Sequence, residues 1–359
     1  MSTKTRVEAF LEMNCPAPLA DKDTILLGHG SGGRLSAELV RDLFLPVFQN
    51  PALARLDDQA IVNVNGQRLA MTTDSFVVKP LFFPGGDIGS LAVHGTVNDL
   101  AMGGATPRFL SVAFIVEEGF SIDDLRRVVY SLQRAAGEAG VQVVTGDTKV
   151  VEKGKGDGLF INTTGIGLVP EGVDLSADRA RPGDKVLVSG SIGDHGIAIL
   201  AQREGLEFET QIQSDSAALH TLVAEMLGVT ARATSDIRCM RDPTRGGVSS
   251  TLNEIAQQSR VGIEIEEGSL PIHEQVRGAC ELLGLDPLYV ANEGKLIAIV
   301  SPDAATAVLQ AMKRHPLGAE AEIIGAVTKE HPGLVTMRTP LGTTRVVDML
   351  SGDQLPRIC

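Results

Sequence analysis

The chain ends in a cysteine, Cys359, whose thiol lies beside the terminal carboxylate. No later segment anchors this end to a core, and Pro356 lacks the N–H that would continue a regular element. From Ser351 to Cys359 the extended chain spans at most about 30 Å. Such a tail is long enough to carry its sulfur from solvent into a distant reaction site. The alternative interpretation is a frayed terminus that happens to end in cysteine.

Carboxylates that could bind a cation form a second set of candidates. Five isolated aspartates stand among small or polar residues, and they are Asp74, Asp99, Asp147, Asp194 and Asp242. Each by itself fits ordinary turn chemistry, because aspartate is common at strand ends and beside glycine. Together they favour a set of oxygen ligands for Mg²⁺, which bridges nucleotide phosphates through a few carboxylates and water.

A glycine-rich loop offers a possible phosphate site. Gly28-x-Gly30-x-x-Gly33 matches the dinucleotide-binding pattern, but a predicted helix and an Asn-Gly hairpin follow it where a parallel βαβ unit is required. Backbone N–H groups of such a loop can still bind an anion at a helix start. A flexible turn is the other interpretation. The sequence has no G-x-x-x-x-G-K-[ST] motif, which excludes a P-loop NTPase.

Periodic apolar residues indicate the elements that position these groups. Leu35, Leu39, Leu43 and Val47 recur at four-residue spacing and predict a helix that ends near Pro51. Further helices are predicted at 88–102, from the capping box Ser121-x-x-Asp124, and at roughly 214–227, 247–259, 272–283 and 302–314.

Strands alternate with these helices. Asn65-Gly66 predicts a hairpin between strands 60–64 and 69–78. Later strands are predicted at 141–144, 159–169, 185–188 and 296–300. The polar sequence from Pro170 to Pro182 predicts a domain boundary, so the chain is expected to form two α+β halves.

Composition restricts the class of protein. With 43% hydrophobic and 21% charged residues, the chain is typical of a packed globular protein. A net charge of −13 argues against nucleic acid or an anionic membrane as the main partner. No apolar run is long enough to span a bilayer, and the charged N-terminus does not resemble a signal peptide. Four cysteines without C-x-x-C spacing predict a reducing, cytoplasmic location.

Several motifs, in this order along the chain, resemble the HypE family of NiFe-hydrogenase maturation factors. They are Gly28–Leu35, Thr73–Val78, Phe83–Gly89, Gly95–Met102, Gly146–Val150, Ser189–Ile197, Asp242–Gly247, Val290–Lys295 and the terminal Pro356–Cys359. The resemblance covers nearly the whole chain, and the terminal cysteine motif is highly specific.

The resemblance implies a two-domain, PurM-like α+β fold with a mobile C-terminal tail. This fold belongs to the ATP-dependent superfamily of aminoimidazole ribonucleotide synthetase and selenophosphate synthetase. It also implies a homodimer, with ATP near the subunit interface. The expected parts are an arm at 1–50, an ATP-binding and dimerisation domain at 51–172, an α+β domain at 173–338, and a strand and flexible tail at 339–359.

The implied activity is the ATP-dependent dehydration of a carbamoyl group on Cys359 to a protein thiocyanate. Its cyanide is destined for the iron of the hydrogenase. The implied cofactors are ATP and Mg²⁺, and the implied partners are the carbamoyltransferase HypF and the HypC–HypD scaffold complex. Neither nucleic acid nor membrane is expected as a partner.

Roles for individual residues follow from the resemblance and the proposed chemistry. Asp74, Asp99 and Asp147 are expected to bind Mg²⁺, and Asp194 is a weaker candidate. Lys149 would neutralise the transferring phosphoryl group, and Glu293 would be the base. The remaining nucleotide contacts are expected from Gly28, Gly30, Ser31, Gly32, Gly33, Asn98, Gly146, Thr148 and Arg245.

Two other classes of function remain open. The chain could be a synthetase or kinase of the same superfamily that acts on a free small molecule. It could instead be a scaffold whose cysteine binds a metal or a partner, with structural acidic loops. The absence of a C-x-x-C or histidine-rich tract disfavours the scaffold.

Overall fold

Two β-sheets organise the protein, one in each half of the chain. The computed structural model describes residues 24–206, 211–230 and 236–352, so Cys359 and Cys15 lie outside the described residues. The first sheet has five strands and the second has seven. Helices accompany both sheets, in agreement with the predicted α+β class.

The first sheet contains β1 (Ala60–Val64), β2 (Gln67–Phe76), β5 (Thr106–Glu117), β6 (Gln142–Val151) and β7 (Leu159–Leu168), and a short hairpin is formed by β3 (Phe82–Phe83) and β4 (Gly86–Asp87). Its strand order is β1-β2-β7-β5-β6, and neighbouring strands are antiparallel except for β5 and β6, which are parallel. Asn65 and Gly66 have φ of 52° and 86° between β1 and β2. The predicted Asn-Gly hairpin is therefore confirmed.

The two longest helices of the N-terminal half pack on one face of the first sheet. Helix α1 (Arg34–Leu39) continues through a π-helical turn (Val40–Phe44) into α2 (Leu45–Phe48); it is followed by α3 (Ile88–Met102) and α4 (Ile122–Glu138). Asp87 caps α3, because its side chain accepts hydrogen bonds from the N–H groups of Gly89 and Ser90. Helix α3 is buried on nearly all sides, and α4 packs beside it.

The other face of the first sheet has no covering layer among the described residues. Large apolar side chains remain exposed there and on the edge strand β6; they include Met71, Phe109, Val143, Val144, Val150, Ile166 and Leu168. Strand β6 is also an unpaired edge within the described chain. An apolar face beside an open edge is typical of a surface that associates with another chain.

The second sheet carries the helices of the C-terminal half. Its strands are β8 (Lys185–Val188), β9 (Ile237–Arg241), β10 (Gly262–Glu266), β11 (Ile297–Val300), β12 (Glu322–Thr328), β13 (Val335–Arg338) and β14 (Thr344–Val346). Their order in the sheet is β14-β13-β10-β12-β8-β11-β9. The helices are α5 (Asp194–Glu204), α6 (His220–Gly228), α7 (Gly247–Ser259), α8 (Glu274–Leu283) and α9 (Pro302–Arg314). The packing joins the two halves, because two hydrophobic clusters contain side chains from both of them.

One predicted helix begins in the wrong place. The expected helix at 214–227 starts only at His220, and residues 211–219 run without regular structure. Tertiary contacts hold this segment away from a helix: the Ser214 N–H donates to the Pro84 carbonyl at 2.8 Å, and the Leu219 N–H donates to the Asn98 side chain at 2.8 Å. The segment therefore lies between the two halves, which sequence periodicity does not reveal.

Candidate active site

A cluster of five carboxyl groups lies where the two halves meet. Asp58 precedes β1, Asp74 lies on β2 and Asp99 on α3, while Asp242 follows β9 and Glu293 precedes β11. Each one interacts electrostatically with at least one other member of the cluster. The cluster thus brings together acids separated by more than half of the sequence.

Arg241 is the main cation that the fold builds into the cluster. Its Nε lies 2.6 Å from Asp58 Oδ1, and its Nη2 donates to Glu254 Oε2 at 2.7 Å. Its Nη1 also donates to the carbonyl of Leu56, at 3.1 Å. The Arg241 side chain is only 13% exposed, so this guanidinium is fixed between β1 and α7.

Burial raises the pKa of the clustered carboxyls. It raises the pKa of Asp99 and Glu293 well above their ordinary values, and negative neighbours add to the effect in both. Burial also raises the pKa of Asp242 to about 6, against an opposing effect of Arg241. Five acids near so few positive charges favour binding of protons or of an added cation.

These acids fit a divalent cation by their chemistry. Asp58 Oδ2 and Asp242 Oδ2 are buried and receive no hydrogen bond from an N–H or hydroxyl donor. Within the described residues, no three ligating side chains already converge on one point as a complete metal cage. That arrangement suits Mg²⁺, which uses one or two carboxylates together with phosphate oxygens and water.

The glycine-rich loop lies against the cluster. The Gly30 carbonyl accepts a hydrogen bond at 3.1 Å from Arg245 Nη1, whose neighbour Nη2 lies 3.8 Å from Asp74 Oδ1. Gly32 has a φ of 71°, and a Cβ atom there would lie 2.6 Å from the Arg245 carbonyl oxygen. Glycine is therefore required where the loop meets the acids.

The end of the described chain lies on the same loop. Ser31 Oγ donates to the Gly352 carbonyl at 2.8 Å, and the Arg34 N–H donates to the Leu350 carbonyl at 2.8 Å. A cavity of about 300 Å³ opens beside the loop; its lining includes Gly30, Gly32, Asp58, Asp242, Thr244 and Arg245. Gly352, the last residue of the described chain, therefore lies at the edge of the acidic site.

Strand β6 holds the other predicted site residues in a different place. Strands β7 and β5 lie between β2 and β6, so Asp147 is three strand spacings, about 14 Å, from Asp74. Asp147 pairs with Lys149 (Oδ2 to Nζ, 3.0 Å), and both side chains are exposed. Within one chain, the predicted Mg²⁺ set of Asp74, Asp99 and Asp147 is therefore not assembled around one ion. Gly146 and Thr148 share this strand and its position.

Asn98 and Asp194 both have protein partners. The Asn98 amide donates to the carbonyls of Ala217 (3.0 Å) and Glu293 (3.1 Å), which uses both of its hydrogens. Asp194, at the start of α5, accepts from or shares a proton with His273 Nδ1 at 2.7 Å. Asn98 thus holds Glu293 in place, and Asp194 forms a pair with His273 outside the acidic cluster.

Sequence analysis missed Asp58, Arg241 and Glu254 as site residues. The Asp57-Asp58 doublet follows Leu56, which has a left-handed φ of 51°, and precedes a strand, a position where an acid can face a ligand. That local signal was available. Arg241 and Glu254 lack one, since Arg241 contacts Asp58, which is far away in sequence, and Glu254 pairs with Arg241.

The chain is similar to known proteins over most of its length. Residues 56–169 match the family of AIR synthase related proteins, N-terminal domain, and residues 181–337 match the C-terminal domain of that family. The carbamoyl dehydratase HypE of Azotobacter vinelandii is 60% identical over 331 residues, covering 92% of this chain and 96% of the relative. This chain belongs to the HypE carbamoyl dehydratase family.

Other HypE proteins agree with this assignment. The HypE of Escherichia coli K12 is 46% identical over 342 residues, covering 94% of this chain and 100% of that protein. The crystal structure of HypE in complex with ATP is 53% identical, with a TM-score of 0.78, and covers 94% of this chain and 100% of that one. The crystal structure of a HypE–HypF complex is 50% identical, with a TM-score of 0.82, and the match covers 87% of this chain and 99% of that one.

Membership of the HypE family confirms the resemblance, the two-domain PurM-like fold class and the expected enzyme class. The domain limits and the roles of single residues stay predictions. No helix in the described ranges has the length and apolar character needed to cross a membrane.

Proposed function

We propose that this chain uses ATP and Mg²⁺ to dehydrate an S-carbamoyl group on its own Cys359, giving a thiocyanate whose cyanide is supplied to hydrogenase iron. The observation that carries this proposal is the attachment of Gly352 to the glycine loop beside the acidic cluster. The chain beyond Gly352, from Asp353 to Cys359, reaches at most about 25 Å. Cys359 therefore starts within reach of the site.

The reaction divides into two steps. In the first step the carbamoyl oxygen attacks the γ-phosphorus of ATP, and the bond from this phosphorus to the β-phosphate oxygen breaks, which releases ADP. The carbamoyl nitrogen loses one proton in the same step. The C–O bond of the phosphorylated thioimidate then breaks, and the nitrogen gives up its second proton as the C≡N bond forms. Phosphate thus removes the oxygen that carbamoyl itself could not release.

Residues of the acidic cluster have distinct roles in this proposal. Asp58, Asp74, Asp99 and Asp242 would hold Mg²⁺, which supplies positive charge to the phosphates when it is bound. Glu293 takes a proton from the carbamoyl nitrogen, since a carboxyl with a raised pKa is a better base than an exposed one. Arg245 and the loop of Gly28, Gly30, Ser31, Gly32 and Gly33 bind phosphate oxygens.

Residues of strand β6 can take part in the same reaction if the protein is a homodimer. The exposed apolar side chains of the open sheet face and edge would be buried by a second copy. A subunit would then present its own Asp147, Thr148 and Lys149 to the nucleotide held by the acidic cluster of the other subunit. Substitution of Val144 by Lys is expected to give monomers in sedimentation experiments and to weaken ATP binding.

Partners follow from the chemistry and from the relatives. A HypE protein has been crystallised with HypF, so we propose HypF as the donor of the carbamoyl group. The HypC–HypD complex is the proposed acceptor of the cyanide, and the cytoplasm the proposed location. The tail must therefore lie outside the acidic cluster when it receives the carbamoyl group, and it must leave the cluster again after dehydration to pass on the cyanide.

Intact-protein mass spectrometry tests the proposal. Incubation with HypF and its substrates should add one carbamoyl group in place of one hydrogen, and Mg·ATP should then remove the mass of one water. Cys359→Ser should not be loaded, whereas Glu293→Gln and Lys149→Ala should bind ATP but stall at the carbamoylated mass. If deletion of the last four residues leaves ATP turnover with a free small molecule intact, the free-substrate enzyme is the better account.

A further inference from the structure

We propose that Asp215 is a positioning residue for Glu293, acting through a hydrogen bond to its backbone and a buried ion pair with Lys295. The inference rests on the proposed function, in which Glu293 is the base. Asp215 lies in the irregular segment 211–219, where sequence analysis predicted part of a helix. Its contacts explain why this segment is not helical and what it holds.

The carboxylate of Asp215 contacts the residues on both sides of Gly294. Asp215 Oδ1 accepts a hydrogen bond from the Glu293 N–H at 3.0 Å, and Oδ2 lies 3.2 Å from Lys295 Nζ. The side chains of Asp215 and Lys295 are 4% and 15% exposed, so water competes little for this pair. The carboxylate thus spans the residues immediately before and after Gly294.

Gly294 shows how closely the two segments meet. A Cβ atom at this position would lie 1.8 Å from the backbone oxygen of Asp215. Any side chain there would push the segment away and break the contacts on either side. The close approach is therefore built into the sequence Glu293-Gly294-Lys295, and it sets the position of Glu293.

The segment is also attached to the N-terminal half. The Ser214 N–H donates to the Pro84 carbonyl, and the Leu219 N–H donates to Asn98 Oδ1. Asn98, which directly precedes Asp99 of the acidic cluster, donates in turn to the carbonyl of Glu293. Asp215 and Asn98 thus hold the two ends of the Glu293 backbone unit against α3.

The negative charge of Asp215 does not by itself explain the role that we assign to this residue. Glu293 faces Asp74, Asp242 and Asp215 on the negative side and Arg245 on the positive side. Lys295 pairs with Asp215 and offsets its charge. What Asp215 adds is a fixed acceptor for one N–H group, and a displacement of about 1 Å in a catalytic group can cost on the order of 10²-fold in rate.

The test uses the full chain, carbamoylated by HypF, and follows the single-turnover loss of water after addition of Mg·ATP. Asp215→Ala should slow this step about 10- to 100-fold, with the ATP concentration at half-saturation changed by less than about twofold. Asp215→Asn keeps an oxygen acceptor for the Glu293 N–H and should recover most of the rate. Lys295→Met should fall between the two.

Lys313→Met is the matched control for Lys295→Met, because Lys313 forms an exposed ion pair with Glu322 at 3.3 Å. It should leave the rate unchanged. Equal losses in Asp215→Ala and Asp215→Asn would overturn the positioning role in favour of charge. An unchanged rate in Asp215→Ala would overturn the proposal altogether, and so would a loss that disappears when the thermal midpoint is restored by added osmolyte.

Hydrogen exchange separates this inference from the proposed function. Asp215→Ala should speed exchange in a peptide covering residues 290–296, and Asp215→Asn should not. If carbamoylated wild-type protein never loses water, the proposed function fails, while the exchange result still decides whether Asp215 holds Glu293. Unchanged exchange in Asp215→Ala would show that it does not.

Discussion

The acidic cluster and strand β6 contain the same kinds of residue in opposite settings. Asp242 is 8% exposed, and burial raises its pKa to about 6. Asp147 lies on the surface, and its hydrogen bond from Lys149 lowers the pKa of its carboxyl. The sequence around both residues is rich in glycine and threonine, so residue type and neighbours do not distinguish them.

This contrast shows what each region needs in order to work. The acidic cluster holds unfavourable charge inside one chain, and a cation with phosphates would relieve it. The Asp147–Lys149 pair is already neutral and solvated, and a second subunit would have to bring it to a ligand. Four experiments test the contrast, from the largest expected effect to the smallest.

Removing the cation of the acidic cluster should have the largest effect on stability. Arg241→Met leaves Asp58 and Glu254 buried without their partner, which typically costs about 3–5 kcal/mol. Denaturant unfolding of the ligand-free protein measures the change. A loss below about 1 kcal/mol would mean that water or protons already satisfy these acids.

The dependence of stability on pH should reveal two opposing sets of groups. Burial lowers the pKa of His94 and His195 to about 4, whereas an unfolded histidine titrates near 6.5. The unfolded state therefore binds more protons, and unfolding free energy falls as pH falls from about 6.5 to 4, by up to about 3 kcal/mol per histidine.

Asp242 acts in the opposite direction. Its folded pKa of about 6 exceeds the unfolded value near 3.9, so the folded state gains stability as pH falls through this window. Asp242→Asn should therefore lose stability more steeply than wild type on acidification, measured as thermal midpoints by calorimetry. Asp147→Asn is the surface control. Parallel curves for wild type and Asp242→Asn would contradict the raised pKa.

The glycine loop offers a test of the tail attachment. A Cβ atom on Gly33 would lie 2.3 Å from the Leu350 carbonyl oxygen, while one on Gly30 would meet nothing within 4 Å. Gly33→Ala should cost about 1–3 kcal/mol and free the chain near residues 348–352, seen as faster proteolysis there. Gly30→Ala should behave as wild type, and similar cleavage of both variants would argue against this contact.

The smallest effect on stability is expected on β6. Lys149→Met removes an ion pair between side chains that are 71% and 61% exposed, which is typically worth less than about 1 kcal/mol. Denaturant midpoints should be nearly unchanged in the ligand-free protein, although dehydration should stall. A large loss of stability would place Lys149 in a buried contact and would contradict the difference between the buried acidic cluster and the exposed strand β6.

Much of the local structure could be predicted from the sequence. The hairpin at Asn65-Gly66 follows from turn chemistry, and the strand Lys185–Val188 follows from a short apolar run. The helix Ile88–Met102 follows from a stretch rich in glycine, alanine and other apolar residues, and all three signals are properties of neighbouring residues. The helix Pro302–Arg314 follows from a serine and proline at its start. Four of the five carboxyl groups of the acidic cluster lie in family motifs, and each motif is a short local pattern.

The tertiary structure decided which of those motifs meet. It brought Asp58 and Asp242 to Asp99 and brought Glu293 to Asp74 and Asp242. It also separated Asp147 from Asp74 by two strands and held residues 211–219 out of a helix. The sequence determines an aspartate and its turn, because these depend on bonds between neighbours. Only the folded chain determines its burial, its pKa and its partners, because charge and packing act between residues far apart in sequence.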